Sequence, residues 1–265
     1  MNHWRTDIWR QPPFAELAEQ FALAECSHFP NADTLSHWLP ATTQTASGWP
    51  LRFCHQVAPS AYEQHIWDSG QVPTRADNWH DLFNALTWAR FPQAKAAINR
   101  QHVADINRHG LHPRTLRRDT LTLFDECGVL VLSSDTALLE ALRQHQWQQA
   151  FVTERGRWGK SISAMVFGHA IYEQLLTPYL GLTGKMLPVQ VKHAFFDWPA
   201  AQQLAWLDEH LAALLAADVL ADKTRLSPLP VLGIPHWWPA NRQAAFYDNR
   251  DYFRPLQRPR TALQY

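Results

Sequence analysis

The sequence is poor in the residues that build recognisable chemistry on their own. It has only three cysteines in 265 residues, Cys26, Cys54 and Cys127, and no C-x-x-C pair. That spacing excludes a zinc knuckle and a disulfide framework. Neither a G-x-S-x-G nucleophile elbow nor a G-x-G-x-x-G dinucleotide loop occurs. Charged residues are sparse at 18%, and they sum to zero with His neutral, so nothing general points to nucleic acid. No apolar run is fit to span a membrane, because the leucine-rich stretch 204–220 contains Asp208, Glu209, His210 and Asp218. The opening MNHWRTDIWRQPP carries no apolar core of signal-peptide length. These absences predict a soluble protein of the reducing cytoplasm.

What is present predicts a folded domain. Hydrophobic residues make up 46%, which places the chain with globular rather than disordered proteins. Thirteen Trp predict well-filled cores and clefts, since each indole combines a large apolar body with one N–H that needs a partner. Fourteen His are mostly scattered, which does not make a metal site. The length suits one domain, read as an arm and helix over 1–58, a core over 59–225 and an aromatic, Pro-rich tail over 226–265 packed on that core. Helices are expected over 14–25, 33–39 and 197–221, with strand character at 51–57 and 187–195. Ser60 and Glu63 form a capping-box pattern before a helix to about Asp68. In 119–133, DTLTLFDECGVLVLS, two apolar runs flank Asp125 to Gly128, which reads as a β-hairpin with Gly128 at positive φ. The expected class is therefore α+β, helix-rich, with a small antiparallel or mixed sheet built on that hairpin.

The stretch NWHDLFNALTWARFPQAKAAINRQH at 78–102 organises the reading. Projected at a helical period, Trp79, Leu82, Phe83, Leu86 and Ala89 form one stripe, while His80, Asp81, Asn84 and Thr87 share the other side with Trp88 and Phe91. Large aromatics among polar groups predict that both sides are covered, so His80, Asp81 and Asn84 face a cleft or a buried polar cluster. Asn78 or Asp77 is placed to cap this helix, and Pro92 suits the first turn of the next.

A second helix is expected over 161–176, apolar all round, with His169 and Glu173 four residues apart on one face. Such a pair can be an ion pair, a proton-sharing pair, half of a metal site or a plain buried hydrogen bond. Ahead of it, RGRWGKS at 155–161 offers Lys160 near a helix start, a candidate anion site. It is not a phosphate loop, because Glu154 stands where the first glycine belongs. Asp119, with Arg118 and Arg75 nearby, is either half of an ion pair or part of a site assembled from several elements. Asp, Glu and His gathered that way suit acid–base work or a divalent metal. Cys127 lacks a base and an orienting group in the hairpin-turn position.

Several segments together resemble one family. YEQHI at 62–66, GQVPTR at 70–75, NWHDLFNALTWARFPQAKAAIN at 78–99, RRDTLTLFDECGVLV at 117–131, FGHAIYE at 167–173 and PLPVLGIPHWWPAN near the end are similar to the bacterial DUF3025 family. The resemblance implies a bacterial, one-domain protein and brings no catalytic residues with it. The residues themselves point to a cleft for a small anionic, possibly phosphorylated, ligand and to hydrolase-type chemistry. Expected there are His80 or Asp81 as general base, His169 and Glu173 as acid or metal pair, and Asp119 beside them. Asn84 is expected to bind ligand, and Arg75, Arg118 and Lys160 to hold its anionic group. The competing class is a non-catalytic interaction module that presents Trp237, Trp238, Tyr247 and Phe253 of the tail to a partner.

Overall fold

A break after Phe91 divides the stretch 78–109 into helices α4 (Trp79–Arg90) and α5 (Pro92–His109), as the sequence predicts. The side chain of Asn78 caps α4 by accepting the Asp81 N–H at 3.0 Å, and Pro92 occupies the first turn of α5. Ahead of them lie α1 (Phe14–Phe21), α2 (Ala32–His37), β1 (Arg52–His55), α3 (Tyr62–Ser69) and β2 (Gln71–Thr74). After them come α6 (Leu116–Cys127), β3 (Gly128–Ser133), α7 (Thr136–Arg143), β4 (Ile162–Val166), α8 (His169–Leu175), β5 (Thr183–Gln190), α9 (Ala200–Ala216) and β6 (Ser227–Pro230). The computed structural model describes residues 3–257 together with 260, 261 and 263. The first residues of the expected arm and the last of the expected tail lie outside that set.

The chain is α+β. Strands β1 and β2 pair in parallel, and the main sheet runs β4-β3-β5-β6 with mixed pairing: β3 antiparallel to β4 and parallel to β5, and β5 antiparallel to β6. Strand β3 is buried along its whole length. Its Val129 and Val131 join the core that includes the N-terminal arm and α4, while Leu130 and Leu132 join the core formed with α5, α6 and α9. Covering on both faces accounts for the unbroken apolar run of β3. The arm backs α4: Trp4 stacks on Trp79 at 5.1 Å, and its indole N–H donates to the Cys26 carbonyl at 2.8 Å.

Three local readings give way to the tertiary structure. The 119–133 hairpin does not form, because Leu121 and Phe124 follow a helical spacing and are both fully buried, which makes α6 of the first half. Gly128 then has φ −66° and opens β3 rather than turning a hairpin. The single helix over 161–176 is instead β4, a turn at Phe167 and Gly168, and the short α8. Ser60 does not cap α3; Ala61 stands at the cap without a side-chain bond, and Glu63 turns to Asn99. The tail is only partly extended, since it supplies β6 and a series of 3-10 turns. Its aromatics pack on their own domain. Tyr247 and Phe253 are buried, the Tyr247 hydroxyl donates to the Gly233 carbonyl at 2.8 Å, and Trp237 and Trp238 lie against the core. No helix among the described residues is long and apolar enough to cross a membrane.

One backbone contact locks these pieces together. The Phe167 and Gly168 N–H groups both donate to the Gly128 carbonyl, at 3.0 and 2.8 Å. A Cβ on Gly168 would fall 2.4 Å from the Glu126 carbonyl oxygen and 2.4 Å from the Gly128 nitrogen, so only glycine permits this approach. Gly168→Ala is therefore expected to cost about 2–3 kcal/mol, read as a lowered urea midpoint at unchanged slope. An unchanged midpoint would show that the contact is dispensable.

Candidate active site

The approach of Gly168 to Gly128 sets His169, the first residue of α8, beside the last turn of α6, where Asp125 sits. Helix α8 also packs against α4, which brings Glu173 to His80. The Phe91-Pro92 break folds α5 back on α4, so that Lys95 reaches Asn84 at 3.0 Å. Four elements thus converge on a cleft of about 500 Å³, whose remaining walls come from the 56–63 segment and the 111–114 loop.

A row of imidazoles and carboxylates crosses it. Nδ1 of His80 is 2.8 Å from Glu173 Oε2, and Nε2 of His80 is 3.1 Å from Nε2 of His169, with the rings near perpendicular at 84°. The far nitrogen of His169, Nδ1, is 3.8 Å from Asp125 Oδ2 and has no hydrogen-bond partner. A carboxylate only accepts, so His80 carries its proton on Nδ1 and leaves Nε2 bare to accept from His169. Burial pushes the His169 pKa down to about 3, outweighing the pull of Asp125 in the other direction, so this ring stays neutral.

Asp125 is held by Lys95 at 2.5 Å, and Lys95 has only 5% of its side chain exposed. Burial pushes Asp125 up, but Lys95 and the nearby histidines outweigh it, and the carboxyl rests below its usual range. Asn84 completes the group by accepting from Lys95 and donating to the Tyr62 hydroxyl at 3.2 Å.

The other expected residues divide. Asp81 lines the cleft, but its carboxylate accepts from the Arg75 backbone N–H at 2.6 Å and from the Arg75 guanidinium at 2.9 and 2.7 Å. Burial works against this, yet Arg75 prevails and keeps Asp81 below the usual carboxylate range, which makes it a poor base. Arg75 itself is 56% exposed at the mouth. Arg118 lines the cleft too, but its buried guanidinium faces Asp105 at 3.1 Å and donates to the Leu111 and Pro113 carbonyls, so it fixes the loop rather than a ligand. Asp119 is not part of the lining; it pairs with Arg114 at 3.2 Å on the outer side. Lys160 is exposed beyond the far end of β4, and that five-residue strand alone separates it from His169 by about 15 Å. No helix starts at Lys160, so the expected helix-end anion site has no structural basis.

For a metal, only two donor atoms face one point, the Nε2 atoms of His80 and His169; Glu173 and Asp125 lie on the Nδ1 sides. Among the described residues no group of three or more His, Cys, Asp or Glu is arranged to hold one. Cys127 ends α6, and burial pushes its thiol above the ordinary range, which argues against a nucleophile.

The sequence names none of Lys95, Asp125, His102, Tyr62 and Glu63 as a site residue, and it offers Glu63 only as part of a helix cap. Lys95 reads as a surface residue of a polar helix and Asp125 as a turn residue. The available signal was Lys95 falling eleven positions after Asn84, across the Pro92 break.

A larger hollow of about 1030 Å³ adjoins Ala89 and Arg90, near the other end of α4. Three of its four Asp, Glu and Arg side chains have partners: Arg90 donates to Glu16 and Tyr172, and Asp208 accepts the Gln93 and Ala94 N–H groups at the start of α5, while Glu19 is exposed. The smaller cleft, with unpaired imidazole nitrogens, is the better candidate.

A family described as "Protein of unknown function (DUF3025)" matches residues 51–257, and the chain belongs to it. The match includes the cleft residues from Gln56 to His169 and Glu173 behind them. No curated protein and no solved structure matches the chain.

Two measurements check this geometry. Lys95→Met strands Asp125 and is expected to lower stability by about 3–5 kcal/mol, with most of the loss recovered in Lys95→Met/Asp125→Leu. A double variant no more stable than the single one would contradict that cause. His169 sets a pH dependence. Its folded pKa is about 3 against an ordinary 6.5, so the unfolded chain gains a proton first as pH falls. Stability is full above about pH 6.5 and declines toward pH 3, at up to about 1.4 kcal/mol per pH unit from this group. Urea midpoints across that window should fall less steeply in His169→Gln; equal slopes would mean that His169 takes up its proton in the fold.

Proposed function

We propose that the chain is an acid–base enzyme of hydrolase type, acting on a small molecule with an anionic group bound in the cleft between α4, α6 and α8. The observation that carries this is the row Glu173–His80–His169, with contacts of 2.8 and 3.1 Å. Glu173 fixes the tautomer and orientation of His80 and faces the charge created when His80 takes up a proton. When a water or substrate hydroxyl displaces the His169 N–H, Nε2 of His80 is the general base for it, and the neutral His169 is a hydrogen-bond donor to the same point. The anionic group is assigned to the mouth, where Arg75 and Arg114 are 56% and 45% exposed and line the cleft. Each is already paired with an aspartate, so anion binding there uses the remaining N–H groups and is modest in strength.

The interaction-module alternative loses its motivation, because the tail aromatics pack against their own domain. A bacterial cytoplasmic setting belongs to this reading and is supported by three free cysteines.

The test is a turnover screen of small phosphate and carboxylate-bearing esters and amides, run with wild type, His80→Gln and His169→Gln. Removing the base should lower turnover about 100-fold or more while the unfolding midpoint at pH 7.5 shows that the fold persists. Turnover that survives His80→Gln, or its absence across the panel, would remove the enzymatic reading.

A further inference from the structure

The charges around the cleft do not all cancel, and the remainder describes what a ligand has to bring. Its three lining cations and the Lys95 behind them are paired: Arg75 with Asp81, Lys95 with Asp125, Arg114 with Asp119, and Arg118 with Asp105. Glu63 is different. It lines the inner cleft half-buried, forms no ion pair among the described residues, and accepts only from the Asn99 side chain, through Oε2 at 2.7 Å. Its second oxygen has no partner. A half-buried carboxylate that faces a cleft without a counter-charge attracts a cation there more strongly than one in open water does.

The neighbours of Glu63 point the same way. His102 lines the cleft, is only 4% exposed, and makes no hydrogen bond among the described residues. Its ring lies within electrostatic reach of both Glu63 and Asp125. His169 Nδ1 is buried without a side-chain hydrogen-bond partner, 3.8 Å from Asp125 Oδ2. A neutral imidazole offers one acceptor nitrogen, and a carboxylate offers only acceptors. The part of the cleft walled by Glu63, His102 and Asp125 therefore has acceptors in excess and the unpaired charge of Glu63. A primary ammonium, with three N–H donors and one positive charge, is the complementary group.

We propose that the inner end of the cleft, between Glu63, His102 and Asp125, binds the protonated amino group of a small zwitterionic molecule whose anionic end lies at Arg75 and Arg114. The proposal rests on the reading of this cleft as the ligand site and adds the chemical class of the ligand. Glu63 supplies the charge, and the open nitrogen of His102 and the free oxygen of Asp125 take the remaining N–H groups. Tyr62, whose phenol keeps its proton because burial pushes its pKa up, closes the wall beside them.

The experiment is calorimetric titration of the full chain with ethanolamine phosphate and its longer ω-amino homologues. The n-alkyl phosphates of matching chain length are the partners without the amine. At least one amine-bearing member is expected to bind about tenfold or more tightly than its alkyl partner, the strength of one charge-assisted hydrogen bond. Glu63→Gln, which keeps an acceptor for Asn99, should erase that preference and leave alkyl phosphate binding unchanged. His102→Leu is the second variant and should reduce the preference; unliganded melting temperatures identify a variant that has lost its fold. Equal binding of both series, or a preference that survives Glu63→Gln and His102→Leu, overturns the amine site while the anion-holding cleft stands. Failure of both series to bind removes the cleft reading and this proposal with it.

Discussion

Two N–H groups on one carbonyl hold the site together. The donations from Phe167 and Gly168 to the Gly128 carbonyl join four chain segments: the end of α6, the start of β3, the end of β4 and the start of α8. Without that close approach, His169 would not lie beside Asp125, and Glu173 would not be carried to His80. Steric bulk is the constraint, since a methyl group at residue 168 would meet backbone atoms from two directions. The chemistry of the cleft depends on a residue that has no side chain and takes no part in it.

The sequence announces α4 and α5 well, because their signals are local. Asn78 caps, Pro92 starts a new helix, and a greasy helix that also carries His80, Asp81 and Asn84 has to hide polar atoms. The mistaken hairpin at 119–133 has a different origin. Leu121 and Phe124 fit a helix and the run 129–132 fits a strand, but a cluster of Asp, Glu, Cys and Gly between two apolar runs also fits a turn, and only the sheet decides. The 161–176 segment failed because an apolar strand followed by a short helix has no polar punctuation except Gly168. Among the site residues, polar groups on apolar helices were legible, whereas Lys95 and Asp125 were not. Each resembles a solvated residue until α5 folds back on α4 and α6 is brought alongside. Glu63 was read as a cap and is instead a wall of the cleft, since the Asn99 amide competes for it.

Charged groups here serve two purposes, and their partners separate them. Arg118 with Asp105, and Arg90 with Glu16 and Tyr172, are bonded to their own chain and fix loops and helix packing. The imidazoles of His80, His102 and His169 retain nitrogens turned toward space or toward one another. A sequence lists both kinds with the same letters. Only burial and hydrogen-bond partners distinguish a charge that holds the scaffold from one that is offered to a visitor.

The row of side chains from Glu173 inward has a further consequence. Glu173 is 45% exposed, whereas His169 is buried and Asp125 nearly so. The outer carboxylate therefore meets the solvent, and the rings behind it lead away from water to a point 3.8 Å from Asp125. One hydrogen-bonded line thus has its two ends in different surroundings, the outer in water and the inner in the packed interior.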